Sequence, residues 1–145
     1  MLNFYLLLEK IKTEEQKNLD ATLQKIPKKH AKLLDGFKVD FTPNNTVKGD
    51  NDHIAWIYKD RISVAAPWNY GREFTFLHEI AHLIWEKLIT ENQKKEWSKI
   101  VKKNKHRLKQ NDEELFCMAY ANTYAKHKIK VHSNPYWEKF IKGLL

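Results

Sequence analysis

The stretch Arg72-Glu73-Phe74-Thr75-Phe76-Leu77-His78-Glu79-Ile80-Ala81-His82-Leu83-Ile84-Trp85 decides the fold. Its apolar residues recur at helical spacing and cover nearly the whole circumference of an α-helix. We expect this helix to run from Arg72 to about Ile89. A helix that is apolar on almost every side is stable only when other elements surround it. The sequence therefore predicts a central, buried helix on which the rest of the chain packs.

Helices and a small sheet are predicted before this central helix. Two early segments have apolar residues at helical spacing, and three later segments have the alternating or β-branched pattern of strands. The helical segments are Leu2 to about Ile26, read as one or two helices ending near Pro27, and Lys28 to Leu34; the strands are Phe37 to Phe41, His53 to Tyr58 and Arg61 to Ala65. Lys59-Asp60 separates the last two strands, which indicates an antiparallel hairpin.

The second half of the chain is predicted to be helical. Glu113 to about His127 reads as another apolar helix, and Asn134-Pro135 is a start signal for a final helix. The basic segment before them has apolar residues at roughly helical spacing, which fits a solvated helix or a partly mobile loop. We therefore expect an α+β fold in which a small mixed or antiparallel sheet packs on the central helix.

Composition restricts the class of protein. The 145 residues fit one domain over 1–145, and a hydrophobic content of 42% is enough for a real core. Cys117 is the only cysteine, so the chain cannot close an internal disulfide and a reducing compartment is compatible. The first residues make a poor signal peptide and no run reaches membrane-spanning length. We therefore expect a cytoplasmic protein with no membrane partner.

The central helix contains the pattern H-E-x-x-H at His78-Glu79-Ile80-Ala81-His82. Residues four apart on a helix lie on one face, so both imidazoles can point at one metal ion. Glu79 lies about 100° around the axis from His78, where its carboxylate can take a proton from a metal-bound water without ligating the metal. With seven His in the chain, a random shuffle would give the pattern only about 0.02 to 0.03 times. We predict a Zn2+ site.

A catalytic zinc needs a third protein ligand, with water in the fourth position. The next acidic cluster beside an apolar helix is Asn111-Asp112-Glu113-Glu114, and Glu114 is our first choice of ligand because apolar neighbours indicate its burial. Glu113 is the second choice, because a shift of one residue along a helix rotates the side-chain direction by about 100°. The alternative is that the histidines are hydrogen-bonded core residues and the acids only favour a helix amino terminus.

The two segments together resemble a known family. Arg72 to His82, followed by Glu114-Leu115-Phe116-Cys117-Met118-Ala119-Tyr120, is similar to the gluzincin pattern of zinc metallopeptidases. The resemblance is to the anthrax lethal factor catalytic domain and the Pro-Pro endopeptidases, with a weaker likeness to the ImmA/IrrE regulatory peptidases, which act on repressors. It implies a zincin-like fold and zinc-dependent hydrolysis of peptide bonds in a protein or peptide substrate.

The resemblance also implies a role for each residue. His78, His82 and Glu114 would be the zinc ligands, and Glu79 would be the general base. The family often has a Tyr seven residues before the ligand Glu, to stabilise the oxyanion, and this chain has Arg107 there, with His106 beside it. Arg61 to Ala66 would be the sheet-edge strand that pairs with an extended substrate.

The charge of the chain is concentrated in one segment. Its formal net charge is +8, and Lys94 to Lys109 has eight Lys or Arg residues and only Glu96 as an acid. Such a run fits a solvated helix face, and it also fits contacts with nucleic-acid phosphates. The alternative to a peptidase is therefore an inactive, zinc-stabilised module that binds nucleic acid through this segment.

Overall fold

A computed structural model describes residues 4–43, 55–66, 70–103, 110–129 and 133–144. Several sequence predictions concern residues outside these ranges, among them the oxyanion candidates His106 and Arg107 and the part of the basic segment over 104–109. The described residues are 69% helical, with one three-stranded sheet, which confirms the α+β class. The chain divides into two compact units, Met1–Phe76 and Leu77–Leu145.

The first unit contains the early helices and the sheet. Helix α1 spans Phe4–Lys25 as one continuous helix, and Pro27 precedes the short helix α2, Lys28–Ala31, which continues as a 3-10 turn over Lys32–Leu34. Gly36 ends this region with a φ of 81°, a left-handed conformation that glycine adopts without a steric penalty. The helical segment predicted over Lys28 to Leu34 thus ends where the sequence predicts.

The sheet is mixed, with strand order β1-β3-β2. Strands β1 (Lys38–Pro43) and β3 (Arg61–Ala66) are parallel, and β2 (Ala55–Tyr58) pairs with β3 as the predicted antiparallel hairpin. The prediction that 61–66 forms a sheet edge is wrong. Strand β3 is the central strand of the three and hydrogen-bonds on both sides, so its backbone is not available to an extended peptide.

The two faces of β3 differ in burial. Ile62 and Val64 are buried, whereas Arg61 is exposed and its guanidinium lies 3.1 Å from the carboxylate of Asp40 on β1. Because side chains alternate across a strand, one face of the sheet is apolar and the other is polar. The hairpin turn places Lys59 at a φ of 54°.

Helix α3 spans Tyr70–Lys87, close to the predicted range, and its first part belongs to the first unit. There the Glu73 carboxylate is 6% exposed and accepts hydrogen bonds from the Lys25 ammonium on α1, at 3.1 Å to each oxygen. The Thr22 hydroxyl lies 3.3 Å from the same carboxylate. These contacts connect α1 to the start of α3.

We expect Lys25→Met to destabilise the protein by about 1 to 2 kcal/mol. Loss of the ammonium leaves the buried Glu73 carboxylate with fewer donors, and the cost is below that of a fully buried pair because Lys25 is partly exposed. The free energy of unfolding in urea measures the effect. Lys17→Met, an exposed position on the same helix, is the control and should change stability by less than about 0.5 kcal/mol.

The second unit is helical. It contains the rest of α3 together with α4 (Glu91–Lys103), α5 (Asp112–Tyr124) and α6 (Pro135–Lys142). The basic segment is thus helical as far as Lys103. Buried Trp97 of α4 lies at its core, with ring centroids 5.9 Å from Phe116, 5.8 Å from Trp137 and 5.2 Å from Phe140.

Helix α5 ends earlier than predicted. It stops at Tyr124 rather than near His127, because Ala125 has an extended backbone. The ammonium of Lys128 donates hydrogen bonds to the carbonyls of Asn122 and Thr123, at 2.8 and 2.9 Å. A lysine that satisfies the last carbonyls stabilises a helix end. The last carbonyl groups of α5 therefore have a hydrogen-bond donor that lies beyond the end of the helix.

Candidate metal centre

Two imidazoles face each other on α3. His78 and His82 are four residues apart, and their Nε2 atoms are 3.2 Å from each other. The rings are half-buried, with side-chain exposures of 15% and 29%. The buried residues Ile80, Ala81 and Ile84 occupy the other side of the same turns. The apolar face thus fixes the helix, and the two rings remain accessible at its partly exposed side.

The beginning of α5 is held in place by two hydrogen bonds. Asn111 caps the helix, because its side-chain oxygen accepts a hydrogen bond from the Glu114 amide at 2.8 Å. The indole N–H of Trp97 donates to the Asp112 carbonyl, also at 2.8 Å. Together they fix the first turn, where Glu113 and Glu114 lie and where the helix dipole favours negative charge.

The Glu114 carboxylate bridges the two imidazoles. One oxygen lies 2.9 Å from Nε2 of His82, and the other lies 3.2 Å from Nε2 of His78. Each of the three residues therefore presents a ligand atom to the same small volume, with all of these atoms within 4.8 Å of one another. The structure brings together the three residues predicted as metal ligands.

The spacing of these atoms fits a small metal ion. Ligand atoms about 2.0 to 2.1 Å from a tetrahedral zinc lie about 3.3 to 3.4 Å from one another. Here the two Nε2 atoms are 3.2 Å apart, and they lie 2.9 Å (His82) and 3.2 Å (His78) from different oxygens of the Glu114 carboxylate. A rotation of this carboxylate that places one oxygen opposite both nitrogens would give three corners of a tetrahedron. The fourth corner would be left for a water or a substrate.

Glu113 occupies a different position from Glu114. Its carboxylate lies 3.5 Å from Nδ1 of His82, on the opposite side of that ring from Nε2. Histidine ligands usually direct their second ring nitrogen at such a carboxylate, which orients the ring and increases its basicity. The arrangement favours Glu114 over Glu113 as the third ligand and gives Glu113 a supporting role.

The electrostatic environment of the cluster is negative. Cys117 lies on α5, fully buried, and its pKa is raised first by burial and then by the charges of Glu114, Glu113 and Glu79. The carboxylates of Glu114 and Glu113 also lie within 3.5 Å of ring nitrogens of the two histidines. A cation would be stabilised by this negative charge. Cys117 itself is part of the buried core.

Glu79 is half-buried on α3, between the two histidines in the sequence. Its charge contributes to the raised pKa of Cys117, after burial and the charges of Glu114 and Glu113. Glu79 does not belong to the set of three converging ligand atoms.

Sequence reasoning missed the residues that hold α5. Asn111 immediately precedes three acidic residues, which is a recognisable cap signal. No local pattern marks Trp97 as the donor to Asp112, because the two residues are 15 positions apart and the bond depends on how α4 packs on α5.

No protein-family model matches the chain, and no curated protein or solved structure is significantly similar to it. Within the described part of the chain, no helix combines the length and the apolarity that crossing a bilayer requires. The function is therefore inferred from the chemistry of the clustered side chains.

Proposed function

We propose that this protein is a zinc-dependent endopeptidase of the zincin type. The observation that carries the proposal is the convergence of His78, His82 and Glu114, whose ligand atoms approach one another to 2.9 to 3.2 Å beside an acidic residue, Glu79. Two imidazoles and one carboxylate form the ligand set of catalytic rather than structural zinc, because three protein ligands leave one position open.

The close spacing of the ligand atoms in this cluster favours a bound cation. The lone pairs of a carboxylate and two neutral imidazoles cannot approach so closely without repulsion unless protons or a metal ion lie between them. Nitrogen and oxygen donors at these spacings suit Zn2+. When bound, zinc supplies Lewis acidity, which polarises a carbonyl oxygen and lowers the pKa of a water molecule.

The protein's own residues then have separate tasks. Glu79 accepts the proton of the attacking water and delivers it to the nitrogen of the departing amine. Glu113 orients the His82 ring through Nδ1. Asn111 and Trp97 hold the first turn of α5, so that Glu114 stays opposite the histidines. The bond that is cleaved is a peptide bond of a protein or peptide substrate.

The test combines metal analysis with cleavage of a mixed peptide library by the full chain. We expect about one zinc per chain, peptide cleavage that a chelator abolishes, and recovery when Zn2+ is added. The apo protein measured in the same buffer is the control. A chain that binds no zinc would overturn the metal site, whereas a zinc-loaded chain that cleaves no peptide would overturn the peptidase and favour a zinc-stabilised module.

A further inference from the structure

A groove separates α4 from α6 in the second unit. Its volume is about 580 Å³, and it is lined by α4 residues between Gln93 and Lys103 and by residues between Tyr136 and Leu144. Volumes of a few hundred Å³ are typical of ligand-binding sites. None of the residues assigned to the metal centre lines this groove.

The groove has an apolar floor. Ile100 and Phe140 are half-buried, Leu144 is buried, and Tyr136 is 63% exposed at the rim. Phe140 packs on the ring of Trp97, whose side chain is fully buried, so its position is fixed before any ligand arrives. A preformed apolar surface reduces the entropy cost of binding.

The rim of the groove is positively charged. Lys99, Lys103 and Lys139 line it and are exposed, and Glu96 is the only acid among the described residues of the lining. The lining side chains therefore have a net charge of +2. An apolar floor between lysines is complementary to a ligand that has an apolar face flanked by carboxylates.

The length of the groove matches a helical segment. From Gln93 to Lys103, α4 rises by about 15 Å, which is nearly three helical turns. The apolar residues of an amphipathic helix at positions i, i+3, i+4 and i+7 extend over about 10 Å. Two turns of such a helix therefore fit along the floor.

We propose that the groove between α4 and α6 binds an acidic amphipathic helix of a partner protein. The apolar side chains of that helix cover Ile100, Phe140 and Leu144, and its carboxylates meet Lys99, Lys103 and Lys139. This binding requires neither the metal centre nor peptidase activity, so the proposal is independent of the proposed function.

Two other occupants are disfavoured. Single-stranded nucleic acid binds through successive exposed aromatic rings, but the Phe140 ring is packed on Trp97, and among the described lining residues only Tyr136 presents an exposed ring. A second copy of this chain would bring another formal charge of +8 to a basic surface, which opposes association.

The test measures binding of fluorescein-labelled 16-residue helical peptides to the full chain by fluorescence anisotropy. The first probe has Leu at i, i+3, i+4 and i+7, Glu at four positions that flank this face, and Ala or Gln elsewhere to keep it helical. The second replaces Glu with Lys, and the third replaces Leu with Ser. We expect the Leu/Glu peptide to bind at least tenfold more tightly than either of the others. Its affinity should fall as salt is raised.

Matched charge variants locate the site on the protein. Lys99→Glu with Lys103→Glu should weaken the Leu/Glu peptide at least tenfold, and Tyr136→Ser should weaken it several-fold. Lys95→Glu with Lys102→Glu makes the same change in charge on exposed positions of α4 outside the groove lining, and should have an effect below about threefold. Circular dichroism checks that every variant is folded.

Three results would overturn the proposal. The first is that the Leu/Glu peptide fails to bind, or binds no better than the Leu/Lys or Ser/Glu peptides. The second is an equal loss of affinity in the two charge variants, which would indicate general attraction to a basic protein. The third is that oligo(dT) binds in place of the peptide and that Lys99→Glu with Lys103→Glu abolishes this binding. That result would make the groove a nucleic-acid site.

Discussion

Glu79→Gln is expected to lower peptide hydrolysis by about 10²- to 10⁴-fold while the zinc content stays at its parent value. Glutamine has nearly the same size and shape as glutamate, but its amide cannot take the proton of the attacking water. Because Glu79 is not among the three converging ligand residues, its substitution leaves the metal ligands in place. The turnover rate and the zinc content of the same preparation measure the two effects.

Glu86→Gln is the control for this substitution. Glu86 lies seven residues further along α3 and is exposed, so the change removes the same charge from the same helix away from the cluster. We expect its activity to equal that of the parent. If Glu79→Gln hydrolyses peptides as fast as the parent does, the general-base assignment is wrong. An equal loss of activity in Glu79→Gln and Glu86→Gln would mean that the effect comes from the charge of the helix and not from a base at Glu79.

The second large effect is expected from a comparison of Glu114→Gln with Glu113→Gln. Glu114→Gln should raise the dissociation constant for Zn2+ by more than about a hundredfold, because it replaces a charged ligand with a neutral, weaker one. Glu113→Gln should raise it by only about tenfold, within the range for residues that orient a ligand. Competition with a chromophoric chelator measures both constants.

Each variant is the control for the other. Both remove one negative charge from the first turn of α5, so their effects on the helix dipole are matched. Thermal unfolding with and without excess zinc gives a second measurement, since a ligand that binds only the folded state stabilises it by an amount that grows with the logarithm of its affinity. A larger loss of zinc affinity in Glu113→Gln would reverse the assignment of the third ligand.

The parts of the candidate site that were predictable are those that depend on helical periodicity. The four-residue spacing of His78 and His82 places both rings on one face of any helix, whatever surrounds it. The choice of Glu114 over Glu113 came from apolar neighbours on α5, and the structure places Glu114 at both rings. The three-residue cluster therefore follows from two local patterns.

The features that escaped prediction are set by packing over long distances in the sequence. Alternation identifies a strand but says nothing about its neighbours, so the parallel pairing of β1 with β3, which makes β3 central, was not foreseen. The apolar spacing in the basic segment Lys94 to Lys109 fits both a solvated helix and a loop. Over Glu91–Lys103 a helix forms, with Trp97 and Val101 buried and the Trp97 ring packed on Phe116 and Trp137 of neighbouring helices.

The burial of Cys117 determines how the folded protein reacts with thiol reagents. Alkylating agents and peroxide react with an accessible thiolate. Here the sulfur is buried, and both burial and the neighbouring carboxylates hold it in the protonated form. Thiol-reactive compounds and peroxide therefore reach Cys117 only after the helices around it have opened.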